Sequence, residues 1–238
     1  MTENPCDSVD PPKFVKPQKQ VPDIDITEQF LKLIENESTK HRLLCLLGFT
    51  GGLRREEIFG LEWDDIDFEH NTVVIRQASI YVVKQGVKTK DPKTSGSFRA
   101  VSLPVEVIDL LKSYKEEWEA HKKHMENRPE GSKWQGSTRL FTTWEGKNAH
   151  PHSFNNWLRR FKERNELSGI SPHIFRHMAA TYLTNSGVDV ATVSGKLGQT
   201  QQATTFQYSH LLKSAEQNTA KIMGDFLKKA DQNDQKQD

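Results

Sequence analysis

The sequence predicts a mainly α fold with one small antiparallel sheet whose hairpin is basic. Three observations predict it. Helical periodicity runs through both ends of the chain, in "ITEQFLKLIEN" and "HRLLCLLGF" early and in "SFNNWLRRFKERN" and "DVATVSGKLG" late. Between them, "NTVVIRQASIYVV" is rich in β-branched residues and "FRAVSL" alternates. The segment joining those two runs, "KQGVKTKDPKTSGS", carries Gly, Pro and Ser with lysines at 84, 88, 90 and 93 and a single acid, Asp91.

Taken in order, residues 1–22 hold prolines at 5, 11, 12, 17 and 22, which exclude a helix and predict an extended interdomain linker. The compact region, residues 23–212, begins near Asp25, which with Glu28 makes a capping box for the first helix. Ser38 starts a second helix that is apolar nearly all round and therefore central to the core, and Gly51 and Gly52 end it. "REEIFGLEW" resumes a short helical pattern. After the strand region, "VEVIDLLKSYKEEWEAHKKHMEN" from Pro104 onward is the longest helix candidate, followed by a polar loop at 127–138. In "SPHIFRHMAATYL", Ser171 is a good N-cap and Pro172 a good first helical residue. Residues 213–238 read as an amphipathic helix with a disordered tail.

Bulk composition limits the function classes. Lys plus Arg number 33 against 32 Asp plus Glu, a net charge of +1, so any electrostatic footprint is local. Cys6 and Cys45 are distant and form no CxxC pair, which argues against a disulfide scaffold or zinc site and fits a reducing cytoplasm. The most apolar run, "LLCLLGF", is too short to cross a bilayer, and the polar start resembles no secretion signal.

Four fragments carry chemistry. His173 and Arg176 lie three apart in the first turns of a helix, where free N–H groups and the dipole favour an anion; a solvated cap is the ordinary alternative. In "TGGLRREE", an arginine follows a helix break, with Glu57 three residues after Arg54; a surface ion pair is the alternative. Lys93, at the tip of a strand pair, can reach over a cleft and deliver a proton, or can simply solubilise a loop. Tyr208, in "LGQTQQATTFQYSHLL", is either a buried phenol or a nucleophile whose proton must be removed or whose charge must be stabilised.

Taken together, in the order Arg…Lys…His-x-x-Arg…Tyr, these fragments resemble the tyrosine recombinase (phage integrase) family over roughly residues 25–212. The resemblance implies that family's catalytic fold: α+β, a helical core with a three-stranded antiparallel sheet and a basic β-hairpin. It implies a site-specific DNA recombinase that uses neither metal nor other cofactor. Arg54 and Arg176 would clamp the phosphate, Tyr208 attack it, Lys93 protonate the leaving oxygen and His173 position the reactants. Glu57 would support the cleft, and Lys88, Lys90 and Arg99 would contact DNA. Two departures stand out. Gln199 follows the Leu-Gly pair where the family usually has His or Trp, and glutamine donates a hydrogen bond without exchanging a proton. The first box also offers Arg55 as well as Arg54, the R-x-x-E spacing favouring Arg54. The implied partners are double-stranded DNA attachment sites and, during synapsis, three further copies in a homotetramer, the free protein being a monomer. The rival readings are an inactive DNA-binding module of the same fold, a type IB topoisomerase and a helical scaffold with no nucleic-acid role. The last predicts that Arg54, Lys93, His173, Arg176 and Tyr208 are scattered in space.

Overall fold

A computed structural model describes residues 24–90, 98–129 and 132–199. The predicted linker at 1–22, the Lys93 segment, Tyr208 and the tail at 213–238 lie outside the described residues.

Seven helices and five short strands follow in the order α1 (Ile24–Ile34), α2 (Thr39–Phe49), α3 (Arg55–Ile58), β1 (Ile66–Asp67), β2 (Thr72–Ile75), β3 (Ala78–Val82), β4 (Gly86–Lys90), β5 (Arg99–Ser102), α4 (Val105–Glu126), α5 (His152–Arg164), α6 (Pro172–Asn185) and α7 (Val190–Leu197). The mainly α reading with a small antiparallel sheet therefore holds. Leu43, Leu44, Cys45, Leu47 and Gly48 of α2 are buried, as an all-round apolar helix requires, and α2 packs between α4 and α6. Gly48 allows a close approach of α2 to α6: a Cβ there would lie 3.2 Å from that of Phe175. Phe175 packs at a tilt of 36° against Phe30, with ring centroids 5.1 Å apart, and Phe30 meets Phe161 edge-on at 5.7 Å. These rings join α1, α5 and α6 into one core with α2.

The strands divide differently from the sequence reading. "NTVVIRQASIYVV" is one β-rich run by composition, but it breaks at Arg76 and Gln77. β2 pairs with β1 and β5 in a three-stranded antiparallel sheet, whereas among the described residues β3 pairs with β4 alone. The break has a physical cause. Arg76 turns to the carboxylates of Glu62 and Asp65. The backbone of Gln77 and Ala78 presses so close to Gly60 that a Cβ there would sit 2.6 Å from the Gln77 carbonyl oxygen. Residues 86–90, within the segment expected as a basic hairpin, form its second strand after a tight turn with Lys84 and Gly86 at positive φ.

Burial alternates along β5: Arg99 and Val101 face inward, Ala100 and Ser102 outward. β2 shows the same period, with Val73 and Ile75 buried. The helix boundaries follow local chemistry. Asp25 lies inside the first turn of α1 rather than at a cap, still suiting the positive end of the helix dipole. Ser171 and Pro172 begin α6 as expected, and α7 is capped by Asp189, whose carboxylate accepts the Thr192 N–H. Gly198 ends α7 in the left-handed conformation. No helix among the described residues is long and apolar enough to cross a membrane.

Phe175→Ala should cost about 3–5 kcal/mol of folding stability, because it leaves a cavity where three helices meet; urea unfolding measures it directly.

Candidate active site

The site is built where the break after α2 meets the C-terminal end of α7. Gly52 sits at φ +63°, and a Cβ on it would fall 2.6 Å from Leu197 of α7, so a glycine is needed for the two segments to touch. The chain then enters α3 with Arg54 extended at its N-cap position. Glu57 reaches back from the first turn. One carboxylate oxygen accepts the Arg54 backbone N–H at 2.8 Å and the other accepts the Arg54 guanidinium at 2.6 Å. Of the two adjacent arginines, Arg54 turns toward α7, its guanidinium 3.5 Å from the Gly198 carbonyl oxygen. Arg55 turns away, donating to Asn155 at 2.7 Å and to Glu56.

Arg176 reaches the same place from α6. Its guanidinium is buried, donating to the Gly52 carbonyl at 2.7 Å and to the Leu197 carbonyl. Arg54 and Arg176 thus converge on the carbonyls of consecutive residues, 197 and 198, at the negative end of the α7 dipole. They do not point to opposite sides of the molecule. His173 lies one turn before Arg176 on α6 and is exposed. Gln199 follows Gly198 directly, half-buried, its backbone N–H donating to the Ser194 carbonyl at 3.0 Å.

Arg99, read from the sequence as a DNA contact, is instead buried, and its guanidinium grips both oxygens of Glu57 at 2.9 and 3.2 Å. Its Nε donates to the Lys196 carbonyl at 2.9 Å. The cause is the β period, which places residue 99 on the inward face with Val101. Lys88, Thr89 and Lys90 of β4 are all exposed. Thr89, on the opposite face, accepts a hydrogen bond from Arg139 at 2.7 Å. Lys196 is a residue the sequence reading missed: its ammonium donates to the Ser102 carbonyl at 3.1 Å. Burial, and then the charge of Arg99, lower its pKa. The signal was a basic residue in a helix's last turn, which favours that position whatever its function.

Electrostatically, the one Glu57 carboxylate is paired with two guanidiniums, Arg54 and Arg99, while Arg176 reaches the same helix end as Arg54, a surplus of positive charge suited to an oxyanion. Burial acts to raise the Glu57 pKa, but the hydrogen bonds and charge of Arg99, with those of Arg54, outweigh it and hold the carboxyl below its ordinary value. No group of three His, Cys, Asp or Glu among the described residues has the arrangement of a metal site.

Residues 23–215 match the model of the phage integrase family. The chain belongs to the phage integrase family. Its relatives in that family include a XerC-like tyrosine recombinase of Caldanaerobacter subterraneus, 30% identical across 84% of this chain and 54% of the relative. The ICEBs1 integrase of Bacillus subtilis is 25% identical across 95% of this chain and 60% of its own length. The chain thus spans between half and two thirds of these relatives. The integrase fold is matched by solved structures as well. The Tn1549 transposon integrase bound to circular intermediate DNA superposes with a TM-score of 0.70 at 20% identity, covering 93% of this chain and 72% of that one. XerA recombinase gives 0.64 at 15% identity, covering 86% and 66%.

The pH response of this integrase site follows from Glu57. Because the folded carboxyl titrates below its unfolded value, its stabilisation is complete above about pH 4.3, the ordinary glutamate pKa. That stabilisation is lost as pH falls through the lower folded value. Glu57→Gln should therefore cost about 3–5 kcal/mol at pH 7, leaving Arg99 buried without its counter-charge. Urea unfolding at pH 7 and pH 3 should show the gap between variant and parent closing in acid.

Proposed function

We propose that the chain is a site-specific DNA recombinase that cleaves and rejoins strands through a 3′-phosphotyrosyl intermediate. The observation that carries this reading is the convergence of the Arg54 and Arg176 guanidiniums on one helix end, with His173 one turn from Arg176. A helical scaffold with no nucleic-acid role gives no reason for two arginines 122 residues apart in sequence to meet there, one of them buried.

In this reading the Tyr208 phenolic oxygen attacks the scissile phosphorus and forms the new phosphoester. The bond to the 5′-oxygen breaks, and Lys93 gives that oxygen its proton. Arg54 and Arg176 donate to the non-bridging oxygens as charge builds on phosphorus, a task for which the planar, permanently charged guanidinium is suited. His173 positions the phosphate and the nucleophile's proton, Gln199 donates a hydrogen bond to a phosphate oxygen, and Lys88 and Lys90 hold the DNA backbone. One phosphoester replaces another, so rejoining needs neither ATP nor a metal. Residues 23–212 act as the catalytic unit, 1–22 as its linker and 213–238 as its tail. The DNA attachment sites are held by four copies during synapsis, with a monomer when free.

A non-cleaving DNA-binding module is the second reading, because Gln199 cannot exchange a proton where the family usually carries His or Trp. One assay separates them. Nicked duplexes tiled across the DNA flanking the chain's own gene should trap a covalent adduct with the parent protein in EDTA and without ATP, and none with Tyr208→Phe. Arg176→Lys should slow adduct formation by about 10²–10³-fold, the loss typical of one oxyanion donor. Salt-sensitive binding to every duplex without adduct would establish the non-cleaving module.

A further inference from the structure

Arg99 is a buried cation with a larger set of bonds than packing a sheet edge requires. Its two terminal nitrogens hold the Glu57 carboxylate, and its Nε caps the last turn of α7 at the Lys196 carbonyl. Lys196 answers by donating to Ser102 on the same strand, so β5 and the end of α7 are stapled at both ends of β5. The next two carbonyls of that helix end, Leu197 and Gly198, are the ones that receive Arg176 and Arg54. Glu57, the other group Arg99 holds, is the carboxylate that fixes the backbone and guanidinium of Arg54.

From this geometry we infer that Arg99 is a positioning residue for the phosphate clamp, setting Arg54 through Glu57 and both Arg54 and Arg176 through the end of α7. The inference rests on the functional reading above. Arg99 touches no substrate: it lies buried behind Glu57, whereas the Arg54 side chain, 34% exposed, faces outward. The role needs arginine in particular. A lysine ammonium can pair with Glu57, but it cannot grip both carboxylate oxygens in a planar fork and cap a carbonyl with a third, fixed N–H. Nor can the site relax easily around a smaller group, because Gly52 and Leu197 are already in contact beside it.

The test compares the full chain with Arg99→Lys and Arg99→Met, measuring three quantities below the melting temperature of every variant. These are affinity for a cleavable nicked duplex, single-turnover rate of adduct formation, and the crystal structure of each variant without DNA. Affinity should stay within about threefold. The adduct rate should fall about tenfold in Arg99→Lys and about 100-fold in Arg99→Met, the scale of an ångström's misplacement of a reacting group. In the crystals the Arg54 guanidinium should leave the Gly198 carbonyl. Adding Glu57→Gln to Arg99→Met should slow the reaction by less than the product of the two single effects, since both act on Arg54. The inference is overturned if Arg99→Lys keeps the parent rate, or if the losses track affinity or folded fraction. It is equally overturned if Arg54 and Arg176 stay in place in both crystals. Should the parent protein form no adduct on any duplex, the functional reading fails by itself, and the crystal comparison still decides what Arg99 positions.

Discussion

The Glu57 carboxylate, held between two guanidiniums, is the constraint on which the site's geometry depends. Arg54 approaches it from the same turn and Arg99 from β5, and both of its oxygens are engaged. A buried carboxylate is costly in isolation, and a buried guanidinium equally so; each is tolerable here because the other is present in good geometry. Such a pair adds little net stability over an apolar substitute, but removing one member leaves a stranded charge. Its value lies in orientation. With Glu57 fixed, the extended entry to α3 and the direction of the Arg54 side chain are fixed as well.

The rest of the cluster follows from where helices end. The last turn of α7 exposes carbonyls that no further N–H of the helix can satisfy. Arg176, Arg54 and Arg99 satisfy three successive ones, at residues 197, 198 and 196 respectively. Gly198 turns the chain left-handed there, and Gly52 lets the α2–α3 connection lie against Leu197. A helix C-terminus thus gathers three guanidiniums, which under the proposed function an arriving phosphate would share. Arg54, more exposed and with the longer contact to its carbonyl, is the guanidinium best placed to change partners.

Much of this was legible in the sequence, and the exceptions have physical reasons. The apolar α2, the Ser171-Pro172 start of α6 and the long α4 are written in local periodicity and cap chemistry, which survive tertiary packing. That Arg54 rather than Arg55 pairs with Glu57 was legible from the spacing, since a first-turn acid reaches back to its own N-cap. Splitting of the β-rich run was not, because Arg76 finds its carboxylates and Gly60 its close contact only in three dimensions. Arg99 was misassigned despite a usable signal. "FRAVSL" alternates, so residue 99 shares a face with Val101, and an arginine on that face turns inward once a carboxylate awaits it. Lys196 carried no comparable signal, since its partner Ser102 is 94 residues away.

The most direct measurement is a crystal structure of the Tyr208→Phe chain on a cleavable duplex. The account predicts that Arg54 and Arg176 both lie about 2.7–3.1 Å from non-bridging oxygens of a single phosphodiester, the distance of a working oxyanion donor. A complex in which that phosphate rests on Arg55 or on the hairpin lysines, with Arg54 and Arg176 still on the carbonyls of residues 197, 198 and 52, would contradict it.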